Sequence, residues 1–330
     1  MKKILNYLFE HKTLSKATAK EILVNISKGI YNQSELAAFM TVFLMRSITV
    51  EELSGFREAL LELCVPVNLD GYHVLDIVGT GGDGKNTFNI STLSCFIAAG
   101  AGVKVAKHGN YGVSSVSGSS NVMETLGYKF KNDEGKLKHE LETAGVCFMH
   151  APLFHPALKN VAPVRGQLGI RTFFNMLGPL VNPCFPEYQF IGVYNLELAR
   201  VYNYIYQQTD KSYTIIHSLD GYDEISLTAD TKVITNKGER NYTPEELGKR
   251  AVHPEDIYGG TTFESAAKIF NKVLKGDGTW AQSAVVLANA AVGMNCTGQY
   301  NTYEAAYQAA VQSLESGAAF RSFQTLISLQ

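Results

Sequence analysis

Along the first 68 residues, apolar positions recur every three or four residues. "KATAKEILVNISKGI" and "SELAAFMTVFLMRS" carry that spacing, which lines up one face of a helix. Thr49-x-x-Glu52 is a capping-box signature, in which each side chain covers an unpaired backbone N–H. The helix it opens runs through Leu53, Phe56, Leu60 and Leu61. No strand pattern interrupts this region. It ends near Val65-Pro66, and "NLDGY" reads as a turn.

From residue 70 the rhythm changes. "HVLDIVG", "VKVAK", "VCFMHA", "FIGVYNL" and "SYTIIHSL" read as short strands. "STLSCFIAAG", "NVMETLG", "KLKHELETAG" and "ELARVYNYIYQQ" read as the helices between them. Alternating strands and helices predict an α/β fold with a central, mainly parallel sheet flanked by helices. The part from "TPEELG" onward reads as mostly helical. The predicted organisation is a small N-terminal all-helical domain, 1–69, and a larger α/β domain, 70–330.

Composition narrows the function classes. Of 330 residues, 45% are hydrophobic and 18% charged, enough apolar material for a sizeable core. The formal net charge of -2 and the pI near 6.5 offer no basic field for a long nucleic acid, so an anion site must be built locally. The five cysteines form no C-x-x-C pair. They are expected as small core hydrophobes, without disulfides or structural zinc. "MKKILNYLFEHK" lacks the pattern of a signal peptide, and no apolar run reaches membrane-spanning length. A cytoplasmic protein with no membrane or nucleic-acid partner is the expectation.

The chemistry concentrates in "DIVGTGGDGKNTFNIST", 76–92. Gly79 to Gly84 fits G-x-G-x-x-G, and Gly79 to Lys85 fits most of a P-loop. A dinucleotide site needs an acid about 20 positions on, where "VKVAKHGN" offers Lys104 and Lys107 instead. A P-loop needs Ser or Thr after its lysine, and Asn86 stands there. What remains is a glycine loop whose N–H groups can approach a phosphate, followed by a helix N-terminus at Ser91-Thr92. Ser91 reads equally as an N-cap. Asp83 reads as a turn residue bonding its own backbone or as a ligand for a ribose hydroxyl. "SSVSGSSN", 114–121, lies between a strand and a helix, where ligand loops of α/β proteins lie.

"GTGGDGKNTFNIST", "KHGNYGVSSVSGSSNVMETLG", "HPALKNVAPVRGQLGIRTFFNMLGPLVNP" and "DGYDEIS" together resemble the anthranilate phosphoribosyltransferase family, of the nucleoside phosphorylase-like phosphoribosyltransferases. The resemblance runs nearly end to end. It implies a small helical domain, joined by part of 165–185, on a larger α/β domain, with the active site at the hinge and a homodimer. It implies transfer of phosphoribose from 5-phosphoribosyl 1-diphosphate to the amine of anthranilate, with release of pyrophosphate, in tryptophan synthesis.

By the same resemblance the donor site takes Gly79, Gly82, Asp83, Thr87, Asn89, Ile90, Ser91, Thr92, Lys107, His108, Gly109, Asn110, Ser114, Ser115 and Ser119. Gly79, Asn110 and Arg165 face anthranilate. Ser91, Asp223 and Glu224 hold magnesium, two ions per monomer. The residue types suit these tasks. Lysine and serine hydroxyls match phosphate oxygens, an arginine fork matches a flat carboxylate, and paired acids supply hard oxygens. Each has a plainer reading: a solvated Lys107, a helix-surface ion pair at Arg165, a surface turn at Asp223-Glu224. Lys107 is expected just after a strand. Three positions depart from the family pattern, each losing a cation: Tyr111, Val116 and Gly166. No general base stands out, and His108 has no visible catalytic partner. A nucleoside phosphorylase and a non-enzymatic nucleic-acid-binding relative are the alternatives. The intact glycine loop and acidic pI speak against the second.

Overall fold

The computed structural model describes residues 1–112, 118–248 and 250–330. Ser114, Ser115 and Val116 lie outside the described residues. The chain divides into two compact units, Met1–Val67 with Ala151–Pro183, and Asn68–His150 with Cys184–Gln330.

The first unit opens with helices Lys2–Phe9, Lys16–Ser27, Gln33–Met45 and Val50–Leu63. The Thr49–Glu52 capping box forms as predicted. Glu52 does more than cap. Its fully buried carboxylate also takes Arg46 at 2.6 Å and the Leu14 N–H at 2.9 Å. Burial pushes its pKa up, but Arg46 and the N–H donors outweigh that and hold it below the usual range. The chain returns to this unit through 151–183, a stretch that starts earlier than the 165–185 segment. Phe173 secures the return. It stacks on Phe56 at 4.6 Å and meets Phe39 and Phe43 edge-on. Such aromatic pairs add roughly 0.5–1.5 kcal/mol each beyond their area burial.

The second unit is built on seven strands: β1 Leu75–Gly79, β2 Val105–Gly109, β3 Val146–His150, β4 Tyr188–Gly192, β5 Ser212–Ser218, β6 Thr231–Thr235 and β7 Gly238–Tyr242. Their order is β3-β2-β1-β4-β5-β6-β7. β1 to β5 are parallel, and β6 and β7 are antiparallel. The predicted parallel core is present, but the β6–β7 hairpin was not anticipated. β7 is solvent-exposed along almost its whole length, so it carries no apolar alternation to reveal it. Helices Ile90–Gly100 and Trp280–Cys296 bury long apolar faces in the core of this unit.

Two details differ from the sequence reading. Lys107 lies inside β2, not beyond its end. The helix after the glycine loop begins at Ile90 with Asn89 at its N-cap, so Ser91 is in the first turn and is not the cap.

The sheet order positions the site. After β1 the chain builds β2 and β3 on one side, then β4 and β5 on the other. The reversal falls between β1 and β4. In open α/β sheets, ligands bind in the crevice outside the carboxyl ends of the strands at such a point.

Candidate active site

β1 ends at Gly79 and β4 at Gly192, and these two are register partners. Asp223 occupies the space above them. A Cβ on Gly79 would lie 2.4 Å from the Asp223 carboxylate, and one on Gly192 would lie 1.5 Å from its carbonyl oxygen. Both strand ends must therefore be glycine for Asp223 to sit there. Its carboxylate accepts the Gly81 N–H at 2.7 Å. Gly81, Gly82 and Gly84 all have positive φ, a conformation that residues with a Cβ adopt only at a cost. The glycine loop thus folds back onto an acid 142 residues away.

The turn carrying that acid is fixed from two sides. Ser218 at the end of β5 donates to the Glu224 carbonyl at 2.7 Å. The buried Asn289 side chain, on helix Trp280–Cys296, bonds both the N–H and the C=O of Ile225, at 3.0 and 2.8 Å. Glu224 is aimed at the loop. It accepts the Thr87 hydroxyl at 3.1 Å and the Ser91 N–H at 3.0 Å. The acidic pair is therefore no surface turn. Asp223 is only 7% exposed.

Three carboxylates gather here. Asp83 forms the expected local turn, accepting the Lys85 N–H at 3.0 Å. Burial raises its pKa. Burial and the nearby Asp83 charge push Asp223 well up, and the same two causes raise Glu224 to about 7. Carboxylates held so close resist ionising together. Opposing positive charge comes from Lys85, which acts on Asp83, and from Lys107, which acts on Glu224.

Lys107 is buried. Its ammonium donates to the Ile77 carbonyl and stands 3.4 Å from the Ser91 hydroxyl. Its neighbour His108 is buried too, with its N–H given to Asp76 at 3.2 Å. Gly109 ends β2 where a Cβ would lie 2.6 Å from the Ser119 hydroxyl. Ser119 and the Ser120 N–H both donate to the Asn110 carbonyl. The Asn110 side chain is exposed and accepts the Tyr111 N–H at 2.8 Å. Tyr111 packs edge-on against His150 and donates to Glu124 at 2.9 Å. Ile90 and Thr92 are fully buried in the helix behind the loop.

Arg165 belongs to the first unit, in the last turn of helix Ala162–Leu168. Its guanidinium lies over the Phe174 ring at 5.6 Å and 3.4 Å from the Asn175 side-chain oxygen. None of the ion pairs among the described residues includes it. The helix-surface salt bridge is thus not formed.

Known proteins decide the family. The glycosyl transferase family matches twice, its helical bundle domain over 2–64 and its a/b domain over 71–320. The chain is 58% identical over 330 residues to an anthranilate phosphoribosyltransferase of Flavobacterium psychrophilum, covering all of this chain and 99% of that one. The chain belongs to the anthranilate phosphoribosyltransferase family. Among solved members, the Thermus thermophilus enzyme superposes with a TM-score of 0.91 at 31% identity, covering 98% of each chain. The Saccharomyces cerevisiae enzyme, solved in complex with PRPP and Mg, superposes with a TM-score of 0.89 at 27% identity, covering 98% of this chain and 96% of that one.

The donor set of this family member fits a magnesium ion. Asp223 and Glu224 supply hard oxygens side by side at the end of the glycine loop, the kind of ligand magnesium takes. Among the described residues, no group of three or more His, Cys, Asp or Glu side chains makes a complete cage. Magnesium ordinarily completes its shell with water and substrate phosphate, so one is not required. Sequence reasoning missed three supporting residues. Asp76 receives His108 and Gln189 in the sheet interior, Gly192 makes room for Asp223, and Asn289 fixes the acidic turn. A buried acid within a strand pattern was the available signal for Asp76. Gly192 and Asn289 become meaningful only once strands far apart in sequence are paired.

Proposed function

We infer that this chain transfers the phosphoribosyl group of 5-phosphoribosyl 1-diphosphate to the amine of anthranilate, giving N-(5-phosphoribosyl)anthranilate and pyrophosphate. This is the second step of tryptophan biosynthesis from chorismate. The observation that carries the reading is the closure of the glycine loop onto an acidic pair, Asp223 buried and Glu224 half-buried, at the sheet's switch point, in a chain 58% identical to a named family member. That geometry is what a diphosphate with a bound cation needs.

In this reading the donor is held by Gly79, Gly82, Asp83, Thr87, Asn89 to Thr92, Lys107 to Asn110, Ser114, Ser115 and Ser119. Asp223 and Glu224, with the Ser91 hydroxyl, hold magnesium, two ions per monomer. Bound there, magnesium neutralises charge on the departing diphosphate. Gly79, Asn110 and Arg165 serve anthranilate, the arginine matching its carboxylate as a charge-assisted fork. A solved complex of the yeast relative with 4-fluoroanthranilate supports an anthranilate-like acceptor.

The reaction asks little acid–base chemistry of the chain. As the C1–O bond breaks, the electron pair leaves with pyrophosphate and positive charge builds on the sugar. The positive end of helix Ile90–Gly100 and the buried Lys107 ammonium favour that leaving charge. The neutral amine of anthranilate attacks C1, and the resulting ammonium gives its proton to solvent or to the released pyrophosphate. Positioning of two substrates carries most of the remaining barrier reduction.

The working protein is a homodimer in the cytoplasm. Tyr7, Phe9, Leu44 and Met45 are exposed on helices Lys2–Phe9 and Gln33–Met45, apolar surface that a second copy would cover. Among the described residues no helix is long and apolar enough to cross a membrane. Mass spectrometry of a mixture of chain, donor, anthranilate and magnesium tests the reaction. Phosphoribosylanthranilate and pyrophosphate should appear in equal amounts. Turnover of a nucleoside with phosphate instead would favour the phosphorylase alternative.

A further inference from the structure

Asn86 occupies the position where a P-loop carries its metal-binding hydroxyl. Its side chain turns to a different task. The Asn86 side-chain amide donates to the Gly260 carbonyl at 2.7 Å, and the Asn86 backbone carbonyl accepts the Gly259 N–H at 2.7 Å. One residue on, Thr87 forms an antiparallel bridge with Tyr258. The Phe88 N–H then reaches the Ile257 carbonyl at 3.2 Å. The second half of the glycine loop is therefore held along a strap, 257–260.

The strap is itself anchored at both ends. The 3-10 helix Pro254–Ile257 precedes it, and Ile257 is buried in the core beside Phe88. Helix Phe263–Leu274 follows, capped by Thr262 and Ser265. Gly260 has a φ of +89°, and a Cβ there would lie 2.3 Å from the Ser265 hydroxyl. Its carbonyl is thus aimed by backbone geometry that other residues resist.

We propose that Asn86 is a positioning residue for the donor and magnesium site. It fastens the loop to the strap so that the Thr87 hydroxyl meets Glu224. The Thr87–Glu224 hydrogen bond of 3.1 Å fixes one carboxylate oxygen, and the Ser91 N–H fixes the other at 3.0 Å. With Asn86 cut back, the loop keeps its backbone bonds to the strap but loses the side-chain tie to Gly260, so the Thr87 hydroxyl is held less firmly against Glu224 while the Ser91 N–H still holds the other oxygen. This rests on the loop being the diphosphate site.

Steady-state kinetics of Asn86→Ala with donor, anthranilate and magnesium varied separately tests it, together with calorimetric titration of donor and magnesium into the variant without anthranilate, where the donor Kd should rise by the same factor as its KM. One lost hydrogen bond of ordinary strength corresponds to roughly a three- to tenfold change. The donor KM and the magnesium concentration for half-maximal rate should each rise by about that factor. The anthranilate KM, and kcat with donor and magnesium saturating, should stay within about twofold. Asn86→Asp, which points a carboxylate oxygen at the Gly260 carbonyl, should show a larger shift in the same direction. Unchanged donor and magnesium dependence in both variants would overturn the proposal. So would equal loss in all parameters, or failure of both variants to fold, since either makes Asn86 a general folding element. A wild-type chain without donor-dependent turnover would contradict the assigned reaction instead, and is distinguishable because it needs no variant.

Discussion

Asp223 rests against Gly192 so closely that a single added Cβ at the glycine would lie 1.5 Å from the Asp223 carbonyl oxygen. The contact is backbone to backbone, so no rotamer change can relieve it. It joins the end of β4 to the acidic turn after β5, across the switch point of the sheet. Gly192→Ala should therefore shift the turn. Overpacking of this kind costs about 1–3 kcal/mol. Chemical denaturation should show that loss, and the magnesium requirement should rise with it. A variant of wild-type stability and magnesium dependence would mean that the turn moves freely.

The acidic pair should be a burden to the metal-free protein. Burial and Asp83 raise the folded pKa of Glu224 to about 7 from an ordinary 4.5. A raised carboxyl pKa contributes stability that is present below about 4.5 and lost as pH rises through about 7. Magnesium binding must displace that proton, so its affinity should climb with pH across the same window. Thermal unfolding with and without magnesium, at pH 5.5 and 8, checks this. The shift in Tm should be larger at pH 8. Asp223→Asn with Glu224→Gln should abolish the magnesium shift at both pH values while the metal-free protein stays folded.

Arg165 and Lys107 should separate the two substrates. A charge-assisted arginine–carboxylate contact is worth about 1.5–3 kcal/mol, so Arg165→Ala should raise the anthranilate KM roughly ten- to a hundredfold. Donor affinity measured without anthranilate should be unchanged. Lys107→Ala should weaken donor and magnesium together. Its buried ammonium supports the Ile77 carbonyl and Ser91 and lowers the Glu224 pKa, so stability should drop as well. Calorimetric titration of donor into each variant distinguishes the two patterns.

Acid should strike the first unit through His155. This side chain is buried, bonds the Val181 carbonyl at 2.8 Å, and is driven by burial to a pKa of about 4. The folded state prefers it neutral. That preference is fully present above its unfolded pKa of about 6.5 and is lost as pH falls toward 4. It accounts for roughly 3 kcal/mol of acid sensitivity. His155→Gln should flatten the fall in unfolding free energy between pH 7 and 4 by about that amount. An unchanged slope would show that the imidazole is not held neutral.

Much of this architecture is local enough to read along the chain. Thr49 and Glu52 announce their helix because capping acts within four residues. The parallel core follows from strands alternating with helices. The glycine loop is recognisable because positive φ at Gly81, Gly82 and Gly84 leaves glycine as the natural choice. Other features depend on distant pairings. Lys107 looks like a solvated cation until β2 is placed beside β1, where the Ile77 carbonyl receives it. Asp223 and Glu224 look like a surface turn until Gly79 and Gly192 come into register. The helix starts at Ile90 with Asn89 at the N-cap position but without a side-chain cap bond, and the first-turn Ser91 N–H goes instead to Glu224, a partner 133 residues away. β7 escapes notice because both its faces meet solvent.

The central claim is a donor- and magnesium-dependent transfer to anthranilate, and the fluorescence of free anthranilate follows it directly. With the purified chain, 5-phosphoribosyl 1-diphosphate and magnesium all present, the signal should decay as anthranilate is consumed. Omitting donor or magnesium should hold it constant. Steady fluorescence from a correctly folded chain with every component present would contradict the account.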